Sequence, residues 1–340
     1  MMKKILLNSL ILLLSSFLLL QAGDVSRLGT TSGTQLLIPV GARSLAMGGA
    51  PLGMISGAEA TFWNPAGISA SPKSEVLFNN MQYIADIDVN YLSLTFNGGN
   101  IGAFGLDIKS LSFGRIDETT ELLPNGTGNT YTPTFVVSGL TYARRLTDRI
   151  TAGVTGKVVY ESIMETSAST LALDMGVQYT FGQKLFFGVV MKNVGGKLKY
   201  NGRNLERQYP MQSSSLITDD GFFRGVPLAS DIPSTFSVGV SYLVDFNEEN
   251  AVVLNGTFNN ANAGSDLLSG GLEYGFRDLF FLRGGYGYNL QNSDDNVFGA
   301  SFGAGIKYPI GNFDFYFDYA YRQLTDYFDA NNIFTIKFGL

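Results

Sequence analysis

The sequence predicts an all-β fold, a transmembrane antiparallel β-barrel of about 14 strands. Three observations carry this. From Glu75 onward, apolar side chains recur at every second position, the period of a strand with one apolar face. The alternating runs are long, where strands of soluble proteins cluster near about 5–6 residues. Within them, charged residues keep to the parity opposite the apolar one. Lipid contact demands this, because Lys or Arg facing mid-bilayer costs roughly 2–4 kcal/mol.

The runs show the pattern one by one. Ile150, Ala152, Val154, Gly156, Val158 and Tyr160 share one parity, and Thr151, Lys157 and Glu161 take the other. Leu171, Leu173, Met175, Val177, Tyr179 and Phe181 oppose Asp174 and Gln178. Phe236, Val238, Val240, Tyr242 and Val244 oppose Ser237, Ser241 and Asp245. Phe298, Ala300, Phe302, Ala304, Ile306 and Tyr308 oppose Lys307, and Phe313, Phe315, Phe317, Tyr319 and Tyr321 oppose Asp314, Asp318 and Arg322. Tyr160, Tyr179, Phe181, Tyr242, Tyr288, Tyr308, Tyr319 and Tyr321 stand near run ends, the place of interfacial girdles. A soluble sandwich alternates too, but without this length and segregation of charge.

The expected strands are 75–84, 87–97, 100–113, 131–145, 149–163, 167–181, 184–194, 234–245, 250–260, 266–277, 279–289, 297–309, 312–323 and 331–340. Their connections alternate between short turns and longer links such as 114–130, 195–233 and 290–296, with the short hairpin at Ala85-Asp86 breaking the trend. Short turns on one rim and longer loops on the other are the barrel pattern, the short rim being periplasmic. In the last strand Phe334, Ile336, Phe338 and Leu340 share a face, either as an ordinary closing strand or as a C-terminal insertion signal. In the third, Phe104, Leu106 and Ile108 are even but Leu111 and Phe113 odd. Either a bulge falls there or residues past Ser110 have left the bilayer.

Residues 1–22 read as a secretory signal peptide: Lys3 and Lys4, an apolar run over Ile5–Leu20, then Gln21-Ala22-Gly23. The run falls short of the roughly 20 residues a spanning helix needs. Its removal would take the 23 basic residues to 21 against 29 acidic, and the net charge from −6 to −8. That argues against a nucleic-acid partner, which calls for a basic footprint. With no His and no Cys, the chain has no Ser-His-Asp or Cys-His nucleophile, no Cys/His zinc site and no disulfide. A non-enzymatic protein without cofactor or metal is expected. Asp219-Asp220 and Asp294-Asp295 lack the ligand spacing of a known Ca²⁺ loop and read as solvated turns.

Residues 24–74 do not alternate and form a separate N-terminal region before the barrel of 75–340. They hold Gly41-Ala42-Arg43-Ser44-Leu45-Ala46-Met47-Gly48-Gly49-Ala50 and Phe62-Trp63-Asn64-Pro65-Ala66-Gly67. The first run is no phosphate loop, since no Gly-Lys-Ser/Thr follows. Tight turns and close packing suit its glycines better.

These paired motifs resemble the PorV/PorQ family of FadL-like outer-membrane barrels, whose form is close to GAR-x-L-x-MGGA followed by a Trp- or Tyr-Asn-Pro-Ala-Gly block. Ala143–Asp148, Asn193-Val194-Gly195 and Ile232–Phe236 look similar as well. The resemblance implies that residues 24–74 form a hatch inside a fourteen-stranded outer-membrane barrel. Gly41, Arg43, Met47, Gly48, Gly49, Trp63, Asn64, Pro65, Ala66 and Gly67 would then be the hatch motif, gating or merely packing. Arg43 and Asn64 would bond lumen groups such as Asp174 or Glu273. Two roles follow. One is a component of type IX secretion-like export that binds exported proteins or secretion-machinery subunits. The other is a channel for small hydrophobic ligands, with an apolar pocket near Met47, Met54, Phe62 and Trp63. The polar, Gly-rich lumen faces count against the channel. The link 195–233, rich in Lys, Arg, Tyr and Phe, covers the mouth, receives a partner, or is a solvated flap.

Overall fold

The computed structural model describes residues 29–210, 220–291, 297–325 and 328–340. The expected signal peptide, Asp219, Asp294 and Asp295 lie outside the described residues. Fourteen strands form the barrel: β1 Glu75–Gln82, β2 Asp88–Asn97, β3 Ala103–Ser112, β4 Thr134–Arg145, β5 Ile150–Ile163, β6 Thr166–Phe181, β7 Leu185–Gly195, β8 Thr235–Asn247, β9 Asn250–Ala261, β10 Leu267–Phe276, β11 Phe280–Asn289, β12 Phe298–Ile310, β13 Phe313–Leu324 and β14 Asn331–Gly339. Each pairs antiparallel with its sequence neighbour, and β1 pairs with β14 from Glu75↔Gly339 to Gln82↔Asn332, which closes the sheet and leaves no edge. Among the described residues no helix is long and apolar enough to cross a membrane.

The side chains are sorted inside out, as in a membrane barrel. Leu106, Leu140, Val158, Leu171, Phe236, Leu282 and Phe302 are exposed on the outer face. Asp107, Lys109, Lys157, Glu161, Asp174, Glu273, Arg283 and Asp318 are buried within. Buried charge needs partners. Lys157 Nζ lies 2.5 Å from Asp174, and Arg283 lies 2.5 Å from Glu273 and 2.6 Å from Asp318.

Two places depart from the simple alternation. The third strand carries no bulge: β3 pairs with β2 and β4 without a shift through Ser112, and Leu111 turns into the inner apolar cluster. In β12 a register shift between Phe298 and Ser301 reverses the phase, so Phe298 leaves the outer parity predicted for it and turns inward beside Arg322. A further shift falls where β7 meets β6, with Asn193 left-handed (φ +58°) and its amide donating to Asp174 Oδ1 at 2.8 Å.

Residues 29–74, the inner segment, carry two short helices, α1 Ala42–Ala46 and α2 Ala60–Trp63, and a 3₁₀ turn at Pro65–Ser69, which contact inward-facing residues of the strands. The glycines that follow α1 are its stop. The Gly49 amide donates to Ser44 O at 2.8 Å and the Gly48 amide to Leu45 O at 3.0 Å, a Schellman close that needs positive φ at Gly48 (+66°). Asn64 caps the 3₁₀ turn by accepting from the Ala66 amide at 3.2 Å, and Pro65 fills the position where no N–H is needed.

The link 196–234 is folded where it is described. Residues 206–210 pair with 220–224, and Lys197-Leu198 with Ser230-Asp231. Leu198 and Ile232 pack on Leu36, and the Ser32 amide donates to Asp231 O at 3.0 Å. The link thus rests on the start of the inner segment, at the long-loop rim.

Candidate functional site

The inner segment can lie against the wall because the wall is glycine there. A Cβ on Gly153 or Gly176 would fall 2.4 Å from Pro65 C or 2.1 Å from Asn64 Oδ1. One on Gly271 or Gly285 would fall 2.4 and 2.2 Å from Met47 backbone atoms, and one on Gly303 2.5 Å from Ala46 Cβ. The Gly-rich lumen face is therefore the seat of the segment, which removes the objection it raised to a channel.

Polar contacts fix the segment in that seat. Arg43 donates to both Glu273 oxygens at 2.8 Å, a bidentate pair. Burial alone would lower the Arg43 guanidinium, and Glu273 more than reverses this, holding it above its usual value. Burial pushes the Glu59 carboxyl up, against the opposing pull of Arg43 and the Ser44 amide, which donates to Glu59 at 3.0 Å. Among the described residues Asn64 bonds no lumen carboxylate: its Nδ2 donates to Leu52 O and Val177 O, both at 3.3 Å. Asp174 is taken up by Lys157 and Asn193 instead. Thr61 Oγ1 lies 2.6 Å from Tyr91 Oη and 2.9 Å from Ser93 Oγ. Trp63 packs over Gly49, where a Cβ would fall 2.9 Å from its ring, and donates to Val40 O at 2.9 Å. The two motifs thereby touch. Ala66 and Gly67 are buried, and Gly41 leaves the space that Glu59 fills.

On the long-loop side of the segment lies a cavity of about 400 Å³. Leu37, Ile38, Pro39, Leu45, Leu52 and Trp63 line it from the segment, and Tyr83, Val190, Leu267 and Phe298 from the wall and its loops. Thr34, Ser237, Thr257, Asn259 and Ser269 add hydroxyls and an amide, and among the described residues no carboxylate lines it. Two cations do. Lys192 Nζ sits 3.7 Å from the Phe62 ring centroid and 5.7 Å from that of Trp63, and makes no hydrogen bond or ion pair among the described residues. Arg322 stacks 3.6 Å from the Phe298 centroid, with its buried Nη1 unpartnered among the described residues.

Of the four residues expected around an apolar pocket, Trp63 lines this cavity. Phe62 is buried beneath Lys192, Met47 is sealed against Gly271 and Gly285, and Met54 faces the short-turn side. Lys192, Tyr83 and an inward Phe298 are not among the residues expected at the pocket. Lys192 had a signal: it shares the parity of Val190, between outward Val189 and Met191.

No family model matches the chain, and no curated protein matches it by sequence. Solved structures do. The toluene transporter TodX of Pseudomonas putida superposes with a TM-score of 0.58 at 13% identity, covering 88% of this chain and 98% of TodX. CymD, a monoaromatic hydrocarbon channel, gives 0.54 at 14%, covering 89% and 97%. A FadL homologue of Pseudomonas aeruginosa gives 0.50 at 11%, covering 89% and 98%. At these identities the likeness is one of fold: a FadL-type barrel. Neither the PorV/PorQ assignment nor the export role draws support from these comparisons.

Proposed function

We propose that this chain is an outer-membrane channel for small hydrophobic molecules, with residues 29–74 as its hatch and the short-turn rim facing the periplasm. The observation that carries this reading is the largely apolar 400 Å³ cavity between the hatch and the wall, on the long-loop side. The fold likeness to a toluene transporter and a monoaromatic hydrocarbon channel supports it over export of protein partners. In the hatch motif, Gly48, Gly49, Asn64, Pro65, Ala66 and Gly67 shape and seat the segment, Met47 fills the glycine wall, Arg43 fastens it, and Trp63 forms the floor of the cavity. Lys192 and Arg322, with no acid beside the ligand space, favour an apolar body bearing one negative group.

Trp63 is the chain's single tryptophan, so its emission reports on the cavity directly. Bromine quenches indole on contact. Titration with 4-bromobenzoate and 4-bromotoluene should quench saturably. Lys192→Met should weaken 4-bromobenzoate about tenfold, the worth of one charge-assisted hydrogen bond, and leave 4-bromotoluene unchanged. Absence of saturable quenching by either compound would refute the channel reading.

A further inference from the structure

The cavity ends on a single turn. Leu52 lines it, and the next three residues, Gly53, Met54 and Ile55, line a separate concavity of about 240 Å³ on the short-turn side. That second space has an apolar floor of Met54, Ile55 and Phe186 and a rim carrying Arg145, Arg149 and Asp148. Neither arginine forms an ion pair among the described residues. Like the outer cavity it joins apolar surface to an excess of cations, here two arginines against Asp148.

The partition is one backbone thick. The Pro51–Ile55 turn closes on itself through the Ile55 amide and Pro51 O at 2.9 Å. Behind Leu52 the wall is Gly188 and Gly239. Cβ atoms on these would fall 2.3 Å from Leu52 O and 2.7 Å from Leu52 Cβ. The turn is fastened by one side chain from the wall. Gln178 Nε2 donates to Ile55 O at 2.8 Å and Leu52 O at 3.2 Å. All of these bonds are neutral and broken without uncovering a charge, at about 1 kcal/mol each.

We propose that the concavity at Arg145 and Arg149 is a second station for the same apolar carboxylates, and that the Pro51–Ile55 turn is the gate between the two. The inference rests on the channel reading. It adds an axial route: the ligand leaves the Trp63 cavity, the turn lifts from Gly188 and Gly239, and the anion is received by the two arginines.

The chain has no cysteine, so an engineered pair is unique. A Cβ on Gly53 would lie 3.1 Å from Ser241 Oγ, within reach of a disulfide once the turn shifts slightly from Phe186 O. In Gly53→Cys/Ser241→Cys, oxidation should leave Trp63 quenching by 4-bromobenzoate within twofold of the unmodified protein. Passage of 4-bromobenzoate from proteoliposomes should fall at least tenfold and return on reduction. Arg145→Gln/Arg149→Gln should keep the quenching and slow passage severalfold. Equal passage by the oxidised and reduced forms overturns the gate, and unchanged passage after loss of both arginines overturns the second station. If the cysteine pair does not fold, Gln178→Leu asks the same question: passage should rise severalfold with quenching unchanged, and an unaltered rate counts against the gate. Unmodified protein that shows neither quenching nor passage overturns the channel reading, and this inference with it.

Discussion

Around α1 the inner segment meets the wall through charge, whereas around the Pro65–Ser69 turn it meets the wall through shape and neutral hydrogen bonds. Arg43 enters a row running Arg43, Glu273, Arg283, Asp318, in which each charge touches one of opposite sign. On the other side, Asn64 and Gln178 donate to backbone carbonyls, Gly153 leaves room for the Pro65 backbone, and Gly176 for the Asn64 side chain and Pro65 ring. The difference teaches where the segment can move. Separating the charged side strands an ion in a poorly solvated lumen, which costs several kcal/mol. Separating the neutral side costs about 1 kcal/mol per bond, since water re-forms them. The gate turn adjoins the neutral side, while the outer cavity spans from Leu52 and Trp63 to Leu45 of α1.

The largest break in this comparison is Glu273→Ala. It leaves Arg43 and Arg283 with only Asp318 and the more distant Glu59 to balance them, and should destabilise the folded barrel by about 3–5 kcal/mol. Urea unfolding in lipid vesicles measures it. A loss below about 1 kcal/mol would mean that the row is well hydrated and the contrast false. Next in size is Gly153→Ala. Its methyl group would meet backbone atoms of Pro65 and Ala66 at 2.4–2.6 Å, an overpacking worth about 1–3 kcal/mol. Gly156→Ala, three residues along the same strand and facing outward with nothing within 4 Å, is the control and should change stability by no more than about 0.5 kcal/mol.

The same contrast separates what the sequence discloses from what it conceals. The expected strands all appear, with ends within three residues of those observed, because lipid imposes alternation on every outward side chain. The inner face answers to a partner that period cannot reveal. A glycine in a strand looks alike whether it faces lipid, as Gly156 does, or seats the Pro65 backbone, as Gly153 does. Position of the phase fails wherever a register shift intervenes, so Phe298 is read as lipid-facing although the shift before Ser301 turns it inward. The Arg43–Glu273 pair is one of those the family resemblance offered for Arg43. The cavity was not legible, because Tyr83, Lys192, Phe298 and Arg322 come from four distant parts of the chain and meet only once the barrel closes.

The smallest effect belongs to a third fastening, at the short-turn rim, where the inner segment runs into β1. Lys73 Nζ lies 2.8 Å from Asp314 Oδ2 and donates to Asn312 O at 3.3 Å, but both side chains reach solvent, with relative exposures of 34% and 18%. Water already solvates this pair, so its net worth is about 0.2–1 kcal/mol. Lys73→Ala should cost no more than that, and about 1 M salt, where the Debye length is near 3 Å, should erase most of the difference. Glu273→Ala should keep nearly its full effect in the same salt, since ions do not reach buried charges. Paired unfolding curves at low and high salt therefore rank the two ion pairs by depth alone. If both variants lose their effect together, the lumen beside α1 is as wet as the rim, and the inner segment is free to swing on either side.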